Sequence, residues 1–232
     1  MIYVVSDLHG YPFDKFKLLL KKTGFSNNDF LFVLGDVIDR GMDGIKYLKW
    51  LMVQTNAELI LGNHEAMMLS CEFLFDEVSD ESISNLTTAR LRLLETWKDN
   101  GARWTLEGLY IMRPAERKYI IEYLRDAPLY ETVNIEKRCF ILTHSGLGNY
   151  SNNKLLSDYS PNDLLWNRPK LTDRYREDAI TVFGHTPTFA YGNEYAGKII
   201  KTDTWINIDV GAGYGFSPAI LRLDDMKEFH IE

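Results

Sequence analysis

The sequence predicts an α/β fold: a two-layer mixed β-sandwich flanked by helices, with a helical insert. Three observations predict it. The first third alternates short β-branched runs with amphipathic segments. From about residue 64 to 127 helical spacing dominates. Strand-like runs then return, several of them joined by turns. The β-α-β alternation argues for parallel strands and the turn-linked runs for antiparallel pairing.

In chain order, IYVVSD (2–7) is a short β-branched run that reads as a buried strand. Residues 12–23 begin with Pro12 and carry Phe13, Phe16, Leu19 and Leu20 at helical spacing. FLFVLGD (30–36) is the second strand. Residues 43–54 read as a helix with Ile45, Leu48 and Met52 on one face, and AELILGN (57–63) is the third strand. In the middle, Leu86, Ala89, Leu93 and Trp97 form one stripe, and Ile120, Ile121 and Leu124 fall in a later helix. A turn at Asn100-Gly101 separates the two. This stretch, about 66–127, reads as an insert within one domain spanning 1–232. The later strands are LYETVNI (129–135), RCFILTH (138–144), AITVFGH (179–185), IIKTDTWINID (199–209) and AILRLD (219–224), with antiparallel pairing expected. Between them SPNDLLW opens a helix, with Ser160 as N-cap, Pro161 first and Asp163 third.

Hydrophobic residues make up 45% of the 232 and charged residues 25%, an ordinary globular composition. No apolar run is long enough to span a bilayer, and the N-terminus lacks signal-peptide features. Two cysteines, Cys71 and Cys139, make no disulfide framework or metal knuckle, so a reduced, cytoplasmic setting is expected. The net charge of −7 argues against a nucleic-acid partner.

The polar residues fall in a pattern. Five predicted strands end in a His, Asp or Asn beside a glycine: Asp7-Leu8-His9-Gly10, Gly35-Asp36 (then Asp39-Arg40-Gly41), Gly62-Asn63-His64-Glu65, His144-Ser145-Gly146 and Gly184-His185-Thr186. Ligands gather beyond the carboxyl ends of strands in α/β folds. Oxygen and imidazole donors together suit Mn²⁺, Fe or Zn²⁺ better than Ca²⁺. There are too many for one tetrahedral zinc, and two metals about 3.5–4 Å apart sharing a carboxylate would use them all.

The order D-x-H-G, G-D-x-x-D-R-G, G-N-H-E, H-[AS]-G, G-H-T resembles the phosphoprotein phosphatase branch of the calcineurin-like metallophosphoesterases, most of all its compact bacterial and phage members. WKDNGARWTL (97–106) is similar to a W-x-x-N-G-G-x-x-T-L stretch of that branch, with Ala102 replacing the second glycine. The resemblance implies that Asp7, His9 and Asp36 hold one divalent metal, and that Asp36 bridges to a second held by Asn63, His144 and His185. Mn²⁺ is the first choice, with Fe or Zn²⁺ as alternatives. It further implies in-line attack by a hydroxide between the ions, without a phosphoenzyme. A metal lowers the pKa of bound water from about 16 to about 7. Arg40 would clamp phosphate oxygens, and Arg168, in LLWNRP, is similar to a second arginine of the bacterial branch. His64 would protonate the leaving oxygen and Asp39 would orient it.

Taken singly, each residue has a plainer reading. Asp36 suits an Asx-turn, Asp39-Arg40 a surface ion pair, and His144 or His185 a core position. Five such coincidences in one order are what the plain readings fail to explain. Glu65 is read as a helix-dipole residue outside the site. Trp97, Trp104 and Tyr110 are read as core before substrate wall, Cys71 and Cys139 as packing, and His230 as structural.

The function expected is a metal-dependent phosphatase, acting on phosphoserine or phosphothreonine proteins or small phosphoesters and releasing inorganic phosphate. A symmetric dinucleoside tetraphosphatase shares the motifs, although HSGLGNYSNN departs from that family's proline- and tryptophan-containing stretch. An inactive phosphate-binding scaffold would have lost ligands, and none is missing. A nuclease would want a basic stripe.

Overall fold

The computed structural model describes residues 1–76, 79–80 and 85–231. Its strands and helices are β1 (Ile2–Val5), α1 (Phe13–Lys22), β2 (Phe30–Val33), α2 (Gly44–Leu51), β3 (Ala57–Leu59), α3 (Asn63–Ser70), α4 (Thr88–Asp99), α5 (Arg103–Tyr110), α6 (Pro114–Asp126), β4 (Tyr130–Ile135), β5 (Arg138–Thr143), α7 (Pro161–Leu165), β6 (Ala179–Phe183), β7 (Ile200–Lys201), β8 (Trp205–Asn207), β9 (Ile220–Arg222) and β10 (Lys227–Phe229).

The strands form two five-stranded mixed sheets, ordered β10-β9-β1-β2-β3 and β4-β5-β6-β8-β7. Side-chain alternation along each strand decides which layer a residue joins. Val4, Phe32 and Leu221 of the first sheet meet Phe140, Leu142, Val182 and Ile206 of the second in the core between sheets. Their neighbours Tyr3, Val5, Leu31, Val33 and Ile220 point the other way, into a core shared with Phe16, Leu19, Leu48, Trp97, Ile120 and Leu124 of the helices. Trp205 and Phe183 face outward from the second sheet onto Leu147, Tyr159, Leu164 and Tyr175, so that face is covered mostly by loops and α7.

Several elements depart from expectation. The 199–209 run is broken into β7 and β8, an antiparallel pair. Thr202 Oγ1 accepts from Thr204 N at 3.3 Å and Trp205 N at 3.0 Å, and this turn interrupts the strand. The later strands pair antiparallel at β4-β5, β7-β8, β9-β10 and β1-β9, as expected, but β5 pairs parallel with β6, and β6 parallel with β8. β10 had no counterpart in the sequence reading; a tight turn with Met226 at φ 62° returns it onto β9. On α2 the buried ridge is Tyr47, Leu48 and Leu51, with Ile45 and Met52 only partly covered. The expected stripe on α4 also fails. Leu86 precedes the helix, whose N-cap is Thr87, and Leu86 and Leu93 are each 44% exposed. Only Trp97 is buried there, with Leu94 packed beside the core. The α7 cap is as expected: Ser160 Oγ accepts from Asp163 N at 3.2 Å and Asp163 Oδ2 from Ser160 N at 3.1 Å. No helix among the described residues is long and apolar enough to cross a membrane.

Candidate metal centre

The strand ends converge at one edge of the sandwich. The segments after β1 and β2 are zipped together by Asp7 N to Gly35 O (3.1 Å), His9 N to Asp36 O (2.8 Å) and Gly10 N to Val37 O (2.9 Å). Their chains bend sharply. Nine described non-glycine residues have positive φ, and six are Asp7, His9, Asp36, Asp39, Arg40 and His185. Such backbone costs about 1–3 kcal/mol per residue and persists where surroundings over-determine it. Gly35 (φ 82°) cannot be replaced freely, because an added Cβ would lie 2.6 Å from His144 Nδ1.

Asp36 stands at the middle, 2% exposed. Its Oδ1 accepts from His64 N at 3.0 Å and lies 3.5 Å from His144 Nε2. Its Oδ2 lies 3.6 Å from His9 Nε2 and 3.8 Å from His64 Nε2. Asn63 Oδ1 is 2.8 Å from His144 Nε2 and 2.9 Å from His185 Nδ1, and the two ring nitrogens are 3.2 Å apart. Asp7 Oδ1 is 3.9 Å from His9 Nε2, and its Oδ2 accepts from His185 N at 2.9 Å. All six expected ligands are thus brought together and buried.

The donor chemistry fits cations. His144 Nδ1 faces Leu34 O at 2.8 Å and His9 Nδ1 faces Ile38 O at 3.1 Å; a carbonyl only accepts, so these nitrogens carry the protons. The lone pairs of the two Nε2 atoms therefore point inward, at other acceptors. Burial, reinforced by Asp7 and Glu65 against an opposing His64, pushes the Asp36 carboxyl well above its usual range. Burial and then the Arg40 charge push His9 well below its own. Groups that ionise or protonate so reluctantly are ones a bound cation would satisfy. Two trios have ligand atoms within 4.8 Å of one another: Asp36, His144 and His185, and His9, Asp36 and His64. The second includes His64 where the sequence reading places Asp7.

Beside these lies a proton-handling pair. His64 Nδ1 is 2.6 Å from Asp39 Oδ2. Burial alone would lower the His64 pKa, but Asp36 and Asp39 outweigh it and raise it. Trp97 Nε1 donates to Asp39 Oδ2 at 2.9 Å, and Thr105 Oγ1 to Asp39 Oδ1 at 2.6 Å. Trp97 is buried as expected, yet its role as an Asp39 partner went unread. The other two aromatics correct the core reading: Trp104 is half-buried and Tyr110 is exposed. Glu65 is more than a helix-dipole residue. Fully buried, it accepts from Asp36 N (2.8 Å), Gly62 N (3.1 Å), Val37 N (2.9 Å) and Ile38 N (3.3 Å). Asp209, also missed, is buried near Asp7, and burial followed by that charge pushes its carboxyl up.

Two arginines border the centre. Arg40 Nη2 is 3.3 Å from His64 Nε2. Arg168, exposed, donates from Nη1 to Thr186 Oγ1 at 3.3 Å. After burial and His144, its charge is what lowers the His185 pKa. Cys71 is buried, its thiol pushed up to about 11 by burial, and Cys139 is half-buried; both are free. The His230 ring pairs with Glu228 at 3.3 Å and its carbonyl accepts from Lys22 Nζ at 2.9 Å, away from the site.

Comparison with known proteins fits this geometry. A symmetrical bis(5'-nucleosyl)-tetraphosphatase of Buchnera aphidicola (subsp. Schizaphis graminum) is 41% identical over 71 residues, covering 30% of this chain and 26% of that protein. An asymmetrical bis(5'-nucleosyl)-tetraphosphatase of Anoxybacillus flavithermus is 25% identical over 260 aligned positions, covering 100% of this chain and 94% of that protein. The chain spans from 26% to 48% of the length of the first two symmetrical relatives. A crystal structure assigned as a diadenosine tetraphosphatase shares the fold, with a TM-score of 0.66 at 17% identity over 99% of this chain and 92% of that one. These relatives carry tetraphosphatase names, where the sequence reading put the protein-phosphatase branch first. The calcineurin-like phosphoesterase family matches residues 1–210. The chain belongs to that family of metal-dependent phosphoester hydrolases.

Proposed function

We propose that the protein hydrolyses dinucleoside tetraphosphates, cleaving symmetrically to two nucleoside diphosphates. What carries the reading is kinship: an asymmetrical tetraphosphatase matches the chain end to end, and the symmetrical outcome is taken from symmetrical tetraphosphatases that match 30% and 59% of it. Asp7, His9 and Asp36 would hold one divalent cation, and Asp36, Asn63, His144 and His185 the other, Mn²⁺ being the first to test. When bound, such a pair polarises a phosphoryl group and acidifies water at neutral pH. The chain's own groups do the rest. Arg40 and Arg168 bind oxyanions of the polyphosphate, for which planar guanidinium forks are suited. His64, its Nδ1 proton held by Asp39, presents Nε2 to the departing oxygen. Asp39 is itself fixed by Trp97 and Thr105 and so holds the ring's orientation.

A second reading rests on that same pair. A departing nucleoside diphosphate has a terminal phosphate pKa of about 6 and leaves without a proton. A serine or threonine alkoxide needs one. The built acid at His64 therefore favours phosphomonoesters, including phosphoserine and phosphothreonine proteins. The test offers Mn²⁺-loaded protein a dinucleoside tetraphosphate and a phosphoserine peptide in parallel, with chromatographic product analysis. Two equal diphosphates support the main reading. Triphosphate plus monophosphate refutes the symmetry, and preferential dephosphorylation of the peptide installs the second reading.

A further inference from the structure

Each of the two arginines beside the centre is accompanied by an exposed aromatic ring. Tyr214 is 55% exposed, and the Arg40 guanidinium lies 4.7 Å from its ring centroid. The ring is not loosely placed. It sits in the turn Ala212–Tyr214 between Gly211 and Gly215, both at positive φ, and Phe189 packs edge-on against it at 5.2 Å. The turn itself is pressed onto the site, since a Cβ at Gly213 would strike His9 and Arg40. Trp166 is 41% exposed, two residues before Arg168, with its ring 6.0 Å from that of His185 and nearly perpendicular to it. Its backbone is anchored by Trp166 N to Asn162 O (3.2 Å), and the next residue by Asn167 N to Ser145 Oγ (3.0 Å), beside His144.

A single exposed aromatic needs no explanation. Two anchored ones at one candidate metal centre, Tyr214 against Arg40 and Trp166 two residues from Arg168, form a pattern. We propose that Tyr214 and Trp166 are stacking platforms for the two planar bases of a dinucleotide, one at either end of the polyphosphate held by Arg40 and Arg168. The proposal rests on the tetraphosphatase reading for its substrate. Aromatic rings stack on every base, so the platforms confer preference for nucleotides over bare polyphosphate without choosing among bases. The arginine against Tyr214 adds a cation-π contact on the ring's other side, which keeps the platform oriented when empty.

The test is calorimetric binding to the Mn²⁺-loaded protein of a nucleoside diphosphate and of inorganic pyrophosphate. The diphosphate is expected to bind more tightly, by about 5- to 100-fold for one stacked base. Trp166→Ala and Tyr214→Ala should each narrow that gap, while Trp166→Phe and Tyr214→Phe retain most of it. Equal affinities in the unmodified protein, or a gap that survives both alanine variants, overturn the platforms. Turnover of the tetraphosphate separates the two claims. Turnover without a gap leaves the activity standing and removes the platforms. A platform-dependent gap without turnover keeps the platforms and removes the tetraphosphatase reading.

Discussion

Glu65→Gln should destabilise the protein and loosen its metal centre together. The wild-type carboxylate offers two acceptor oxygens, each serving two backbone N–H groups: Oε2 takes Asp36 and Gly62, and Oε1 takes Val37 and Ile38. Glutamine keeps one oxygen and turns the other into an NH₂ donor. Whichever way the amide faces, two buried N–H groups confront a donor. Each buried unsatisfied group costs about 1–3 kcal/mol, so the loss is about 2–6 kcal/mol. In a protein of this length that corresponds to a Tm lower by roughly 5–20 °C. The affected segment carries Asp36 and Asp39, so metal retention should fall as well. The assay is thermal unfolding by circular dichroism with and without Mn²⁺, with metal content measured after dialysis. A Tm within about 2 °C of wild type and full metal content would refute the claim that this carboxylate braces residues 36–38.

Three further outcomes are expected. His64→Asn should keep its metal content while phosphoserine turnover drops by about 10²- to 10⁴-fold, with tetraphosphate cleavage much less affected; loss of both metals would show that His64 is a ligand. Arg40→Ala should weaken inhibition by inorganic phosphate as well as turnover, and an unchanged inhibition constant would remove the clamp role. Asp39→Asn removes one of the two carboxylates that raise the His64 pKa and leaves Asp36 alone against burial, which lowers it. A rate that depends on protonated His64 is lost as pH rises through that pKa, so the alkaline limb of the phosphoserine profile should move to lower pH. By the same sign, the His64 charge stabilises the fold fully below its unfolded pKa of about 6.5, and this is lost as pH rises through the elevated folded value. An alkaline limb that stays in place contradicts the pairing.

The candidate ligand set could be read because its members sit within three residues of a glycine at a strand end, a local signal that needs no tertiary contact. What the ligands lean on was not local. Trp97 and Thr105 reach Asp39 from 58 and 66 residues away. Their only trace was the W-x-x-N-G-G-x-x-T-L likeness, in which the tryptophan and threonine are the residues that make the contacts. Half of the Glu65 role was legible: it does cap the start of its helix, but nothing in GNHE shows that the N–H groups after β2 also face it. Periodicity failed on α4 because Leu86 lies ahead of the helix and, among the described residues, the core is met by Trp97 and Leu94 near its C-terminal end, which leaves Leu93 exposed. The 199–209 run failed because Thr202 and Thr204 favour strands by composition while the Thr202 hydroxyl closes a turn.

The convergence of both sheets on Asp36 also sets when the centre can exist during synthesis. Asp7, His9, Asp36 and Asn63 leave the ribosome early, whereas His144 and His185 follow only after the whole helical stretch and half of the second sheet. The Asn63, His144 and His185 atoms that face one another cannot meet until the sheets have docked. A nascent chain therefore carries Asp7, His9, Asp36 and Asn63 before the two later imidazoles exist. It holds one side of the candidate centre and lacks the other, so a site that needs His144 and His185 cannot form ahead of the docking of the sheets.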